Sequence, residues 1–171
     1  MGEIAHIREA MPEDAAAVVN LLQLLYSETD FLLYEPGESV PQVDQYAERI
    51  REVAKKENGV MFVAESSRDV VGVIFGNRGT AKKTRHSLFL VMGVRQSHWN
   101  QGVGRVLLEA IEKWATTRQL HRLELTVQIS NAQAIALYEK MGFGREGTKR
   151  HSLKTSGRYV DEFLMSKLVA A

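Results

Sequence analysis

Apolar and polar positions change their period several times along this chain, and each change marks an element. Ile4 to Ala10 alternates, with Ile4, His6 and Arg8 against Ala5, Ile7 and Glu9, and reads as a first strand. Met11-Pro12-Glu13-Asp14 starts a helix, with proline and acids in the first turn where the dipole favours them. That helix runs through Val18, Leu21, Leu22, Leu25 and Tyr26 to about Thr29. Pro41 to Glu57 predicts a second helix, with Val43, Tyr46, Ala47, Ile50, Val53 and Ala54 on one face. Between the two lies Phe31 to Glu38, an apolar and aromatic loop before the Pro36-Gly37 turn. It reads either as core filling or as a wall of a substrate pocket.

Asn58-Gly59 turns the chain into the strand Val60 to Glu65, Ser66 to Asp69 makes a hairpin turn, and Val70 to Phe75 returns. Gly76 to Gly79 loosens the chain before a long strand, Thr84 to Val94, and an amphipathic helix to about Arg118. His121 to Val127 is the next strand, and Ala132 to Met141 is a short helix stopped by Gly142. Arg145 to His151 and Tyr159 to Leu168 pair around Thr155-Ser156-Gly157. The order β-α-α-β-β-β-α-β-α-β-β predicts an α/β sheet with helices on both faces. No repeat or linker interrupts it, so residues 1–171 read as a single domain.

Composition narrows the function more than the fold. A formal net charge of +1 argues against a nucleic-acid binder that works by bulk electrostatics. Lys82-Lys83-Thr84-Arg85 reads as a solvated strand edge rather than a nucleic-acid patch. The absence of cysteine excludes a disulfide framework, a thiol nucleophile and a cysteine metal site. The histidines (His6, His86, His98, His121 and His151) show no metal spacing. No apolar run approaches the roughly 18 residues of a membrane span, and Met1-Gly2-Glu3-Ile4 lacks the features of a secretory signal. The expectation is a cytoplasmic protein that uses no metal, binds neither nucleic acid nor membrane, and leaves a homodimer open.

One stretch carries candidate chemistry. The apolar run Leu88 to Met92 ends at Gly93-Val94, a polar turn from Arg95 to Gln101 follows, and Gly102-Val103-Gly104 opens a helix. Val103, Val106, Leu107, Ala110, Ile111 and Trp114 mark its buried face. A helix start offers unpaired N–H groups and the positive dipole end, and glycine there lets an anion approach the backbone. A turn built for packing alone would also use these glycines. A P-loop is excluded, because Arg105-Val106 stands where Lys-Ser/Thr is required. A dinucleotide fingerprint lacks its third glycine, since position 107 is Leu107, although Glu124 lies at a suitable distance.

Trp99-Asn100-Gln101-Gly102-Val103-Gly104 resembles the acetyl-coenzyme A loop, Gln/Arg-x-x-Gly-x-Gly/Ala, of the GCN5-related N-acetyltransferases, with Trp99 in place of Gln or Arg. A second motif strengthens the resemblance. Asn131 to Phe143 matches the family's N-x-x-A-x-x-L-Y-x-x-x-G-F at every named position, through Asn131, Ala134, Leu137, Tyr138, Gly142 and Phe143. Glu146 to Arg150, Gly157 to Asp161 and Met165 resemble the tail of the ribosomal-protein and spermidine acetyltransferase-like branch. The resemblance covers nearly the whole chain. It implies a mixed, mostly antiparallel, twisted sheet splayed at its centre.

It also implies an N-acetyltransferase that moves acetyl from acetyl-coenzyme A to a primary amine by direct attack in a ternary complex. The amine would be a small molecule or a protein N-terminus. Cofactor contacts would come from Gln101, Gly102, Val103, Gly104 and Arg105, and from Met92, Gly93 and Val94, where a backbone N–H would stabilise the oxyanion. Asn131 caps the short helix and can also face the cofactor. Tyr138 is either a buried structural tyrosine or, as the family implies, the general acid for the leaving thiolate. Glu124 is a candidate general base, with Glu35 and His86 as alternatives and a solvated strand face as the competing reading of Glu124. Phe31, Tyr34 and Glu35 are expected to line the acceptor pocket. A non-catalytic acyl-coenzyme A sensor or regulatory module is the other class of function open to such a domain; it would have no use for a leaving-group acid.

Overall fold

The computed structural model describes residues 5–56 and 58–169. Met1 to Ile4, read above as an N-terminus running into the first strand, and Glu57, at the predicted end of the second helix, lie outside them. Seven strands form one sheet: β1 (His6–Glu9), β2 (Gly59–Ser66), β3 (Asp69–Arg78), β4 (Ser87–Val94), β5 (Arg122–Gln128), β6 (Gly144–Thr155) and β7 (Arg158–Leu168). Their spatial order is β1-β2-β3-β4-β5-β7-β6. Every neighbouring pair is antiparallel except β4 and β5, which run parallel. Four helices cover it: α1 (Ala15–Glu28), α2 (Val43–Lys56), α3 (Val103–Thr117) and α4 (Ala132–Lys140). This is the mixed, mostly antiparallel α/β architecture expected, with helices on both faces. Among the described residues no helix is long and apolar enough to cross a membrane.

Strand alternation divides the core in two. Leu88 and Leu90 of β4 and Leu123, Leu125 and Val127 of β5 pack with Leu107, Leu108, Ile111 and Trp114 of α3 and with Ile135 and Tyr138 of α4. Met61, Val63, Val73 and Phe75 point to the other face, against Val18, Leu21, Leu22 and Leu25 of α1 and Ile50 of α2. Leu107 and Ile111 are fully buried, so truncating either to alanine costs about 2–5 kcal/mol. Neither α1 nor α2 extends over β5, β7 and β6. That part of the second face carries the polar row described below.

Three strand boundaries differ from the sequence reading by three residues or more. β3 continues through Gly76 to Arg78, where looser chain was expected. At Gly76 a Cβ would lie 2.8 Å from Leu88 and 2.9 Å from Ile111, so the glycine lets the strand lie flat under α3. β4 begins at Ser87 rather than Thr84, because Thr84 closes a turn onto the Ala81 carbonyl. β6 runs to Thr155 rather than His151, through an irregularity between Lys149 and Leu153. There His151 adopts a φ of +52° and its N–H donates to Asp161 Oδ1 at 2.7 Å. The extra residues bend β6 over the open face.

Candidate active site

The parallel pair at the centre of the sheet is short. Ser87, Leu88 and Phe89 of β4 pair with Arg122, Leu123 and Glu124 of β5, and beyond them the strands separate. The ladders on either side show where the freed backbone groups point. Gly79 N–H donates to Ser87 O and Arg95 N–H to Val71 O, which fixes the bonded positions between β3 and β4. By the two-residue alternation of an antiparallel ladder, Phe89, Val91 and Gly93 turn their amides to β3, while Leu90, Met92 and Val94 turn theirs into the gap. Ile129 N–H to Asp161 O and Val169 N–H to His121 O fix β5 against β7 in the same way. Thr126 and Gln128 therefore face the gap from the opposite edge. Two strand edges, each with unpaired donors and acceptors, border one opening.

That opening is a cavity of about 790 Å³ that passes through the sheet. On the α3 and α4 side it is bordered by His98, Trp99, Asn100, Gly102, Val103, Gly104 and Arg105 and by Asn131, Ala134, Leu137 and Tyr138. Gly102 adopts a φ of +84° and Asn100 one of +59°, the left-handed conformations that fold the chain sharply into α3. The first helical bond runs from Val106 N–H to Gly102 O, so the amides of Val103, Gly104 and Arg105 have no partner within the helix. No atom lies within 4 Å of where a Cβ on Gly102 would stand. A Cβ on Gly104 would meet Leu137 at 2.9 Å and Met92 at 3.4 Å. Free amides, open space and the positive dipole end suit a phosphate-bearing group.

Local bonds hold this loop. Trp99, which stands where a Gln or Arg was expected, donates its indole N–H to Val94 O at 2.7 Å and ties the loop to the end of β4. Gln133 on α4 donates to Asn100 Oδ1 at 3.0 Å. Glu28, the last residue of α1, accepts from the Arg95 guanidinium at 3.1 Å and from Gln96 N–H at 2.8 Å. Gln101 turns aside, with its amide donating to Ser97 O, and its side chain is exposed.

Tyr138 sits on α4 with its ring against Phe143, 5.8 Å between centroids. It is 8% exposed and borders the cavity, and burial pushes its phenol up to about 12, so the group is fully protonated at neutral pH. Its hydroxyl has no hydrogen-bond partner among the described residues, which leaves the proton available to a ligand. Asn131 caps α4, its side chain accepting from Ala134 N–H at 3.1 Å, and it borders the cavity as well. Gly142, at φ +89°, ends the helix, and Phe143 N–H returns to Tyr138 O.

The acceptor-side expectations fare unevenly. Phe31 borders the cavity with Leu32 and Leu33, but Tyr34 and Glu35 stand outside it. Tyr34 packs edge-on against Tyr26, and Glu35 belongs to an exposed turn closed by Glu38. Glu124 is displaced from the expected role by its register: it lies opposite Phe89, below the point where β4 and β5 part. There its carboxylate accepts from Arg122 at 2.8 Å, and Arg122 also holds Glu146, whose carboxyl is lowered to about 2 by that guanidinium and by the Ser166 hydroxyl. His86 is exposed and outside the cavity. Gly93 owes its lack of a side chain to Leu25, which would stand 2.6 Å from a Cβ there.

Sequence reasoning missed Gln128, Lys149 and Glu162. They are cross-strand neighbours on β5, β6 and β7, and so share the face that α1 and α2 leave open. All three border the cavity. Gln128 is 5% exposed and donates to Asp30 O at 2.8 Å, which anchors the loop after α1. The available signal was the acid pair Asp161-Glu162 between Val160 and the apolar run Phe163 to Met165.

A backbone-lined gap between two parallel strands, opening onto a glycine turn and a protonated phenol, defines the acyl-coenzyme A-dependent acetyltransferase class. The family model described as the acetyltransferase (GNAT) family matches residues 20–143, and the chain belongs to that family. An acetyltransferase of the GNAT family from Streptococcus pneumoniae is 31% identical, with a TM-score of 0.92 over 97% of this chain and 99% of that one. The ribosomal-protein-alanine N-acetyltransferase from Brucella melitensis is 25% identical, with a TM-score of 0.85 over 96% and 99%. The L-amino acid N-acetyltransferase AaaT of Escherichia coli strain K12 is 40% identical over 74 residues, 42% of this chain and 46% of that protein. The chain spans about half the length of the curated relatives it matches.

Proposed function

We propose that this protein transfers the acetyl group of acetyl-coenzyme A to a primary amine, by direct attack within a ternary complex. The observation that carries this reading is the gap between β4 and β5, which reaches the amide-rich start of α3 on one face of the sheet and the open polar face on the other. Donor and acceptor can therefore meet inside the sheet from opposite sides.

The amides of Val103, Gly104 and Arg105 hold the phosphates of the donor. The freed amides of Met92 and Val94 lie along the gap, where one N–H can receive the developing oxyanion of the carbonyl. When the amine nitrogen bonds to the acyl carbon, the carbon–sulfur bond breaks and the sulfur leaves as thiolate. Tyr138, protonated and without a protein partner, gives it a proton. That unsatisfied phenol also favours catalysis over a module that only senses the donor. No residue is acylated, so no nucleophile is required.

The test is a thiol-release assay with acetyl-coenzyme A and a panel of primary amines: amino acids, polyamines, aminoglycosides and N-terminal peptides. Acceptor-dependent release of coenzyme A thiol is the expected result. Tight donor binding with no release for any amine would leave the sensor in its place.

A further inference from the structure

Glu162 is the sole carboxylate that borders the cavity, and the sole buried one, among the described residues. It is 8% exposed, and its recorded partner is Lys149 Nζ at 3.3 Å, whose own side chain is 52% exposed. A buried carboxylate offers about four acceptor sites and is costly to leave so sparsely satisfied. The neighbouring buried amide of Gln128 directs one of its N–H groups to Asp30 O, and no bond from it to Glu162 is formed. Among the described residues the second oxygen of Glu162 makes no bond, and it opens onto the cavity, where a ligand donor can reach it.

The pair is also polar along the cavity. Its anion is buried, on β7 across from Gln128, and its cation, Lys149, is half-exposed. A simple amine can complete Glu162 but leaves Lys149 with no anion beyond the one it already shares. A molecule that carries both charges satisfies both: its ammonium completes Glu162 and its carboxylate takes the lysine. Leu25, Phe31, Leu32 and Leu153 leave an apolar space around that axis.

Resting on the acetyl-transfer reading above, we propose that Glu162 and Lys149 form the acceptor subsite and select an α-amino acid with an apolar side chain. Glu162 binds the ammonium and takes the proton that the nitrogen must lose before attack, while Lys149 holds the carboxylate. A peptide N-terminus or polyamine lacks that carboxylate and is a poorer ligand.

The experiment measures L-leucine, leucinamide and isoamylamine against the wild-type protein, Lys149→Met and Glu162→Gln, by calorimetric binding to the coenzyme A complex and by thiol release with acetyl-coenzyme A. Wild-type protein is expected to bind leucine at least tenfold more tightly than leucinamide. Lys149→Met, at an exposed position, is expected to erase that preference, and Glu162→Gln to weaken leucine binding at least tenfold. If turnover is measurable, Glu162→Gln also lowers kcat while the KM for acetyl-coenzyme A stays unchanged, which a purely structural role would not do. Equal binding of leucine and leucinamide, or a preference that survives Lys149→Met, overturns the subsite. Binding as expected without thiol release upholds the subsite and removes the transfer reaction instead.

Discussion

The two sides of the cleft are built on different principles. On the proposed donor side the groups on offer belong to the backbone: amides at the start of α3, strand-edge donors at Met92 and Val94, and left-handed turns at Asn100 and Gly102. On the acceptor side they belong to side chains brought together across three strands: Gln128, Glu162 and Lys149, with Phe31 and Leu32 from the loop after α1. A site made of backbone accepts many sequences provided the glycines and the helix start remain. A site made of side chains changes its ligand with each substitution. The fold thus holds the donor constant and leaves the acceptor free to vary.

The largest expected effect is on the donor side. Tyr138→Phe keeps the ring against Phe143 and removes the proton donor, so kcat should fall about 10²–10⁴-fold with the KM for acetyl-coenzyme A unchanged. Burial disfavours the phenolate and raises the phenol to about 12, so the wild-type kcat should show no alkaline fall near pH 10, where a free phenol would ionise. Unchanged turnover of the phenylalanine variant when chemistry limits the rate would return Tyr138 to a structural role, whereas a wild-type fall near pH 10 would mean that burial does not raise the phenol.

Gly104→Glu comes next. Its side chain would enter the space between Leu137 and Met92 and place a negative charge at the proposed phosphate site. Donor at a hundredfold its dissociation constant stabilises a protein by about 2.7 kcal/mol, and the variant should lose that increment of melting temperature. Circular dichroism establishes that it is folded. A retained shift would show that the donor lies elsewhere.

Glu28 is where the two sides communicate, since it ends α1 on the acceptor side and holds Arg95 and Gln96 ahead of the donor loop. Glu28→Gln should raise both KM values a few-fold, whereas Lys149→Met should raise only the acceptor's. A Glu28 effect confined to one substrate would separate the two sides completely.

The smallest effect serves as a control. At the far edge of the sheet, the Arg8 guanidinium lowers the Asp14 carboxyl below its ordinary value. The unfolded chain therefore holds that proton more tightly than the folded one. The stabilisation is intact above the ordinary carboxylate value and is lost as pH falls through the depressed one. Asp14→Asn should flatten the acid limb of the melting temperature and leave both KM values alone. A change in either constant would mean that stability itself leaks into the kinetics.

The same contrast explains what could be read in the sequence. The donor loop and α4 are each one unbroken run of chain, so short motifs and the family they resemble were enough to single out Gly102, Gly104, Asn131 and Tyr138, which border one cavity. The two core faces followed from period alone. Glu162 could not be found that way. Its significance lies in standing opposite Gln128 and Lys149, a long-range register set by the β5, β7 and β6 ladder. Glu124 has the better local pattern, yet the parting of β4 and β5 just beyond it decides against it, and no local pattern records where two strands separate. Gly76 looked like loose chain because a glycine under a crossing helix and a glycine in a loop are the same letter.

Trp99 gives the molecule an optical property. The protein has two tryptophans. Trp114 is buried under Arg118, 4.2 Å from its ring centre, and remote from the glycine turn. Trp99 is half-buried at the cavity wall, its indole N–H bonded to Val94 O, beside the place where adenosine diphosphate chemistry would enter. With Trp114→Phe, the emission of one intrinsic fluorophore would report donor arrival directly, its colour and intensity following the shielding of that indole from water. The chain carries its own spectroscopic gauge of the empty and loaded states, with no label attached.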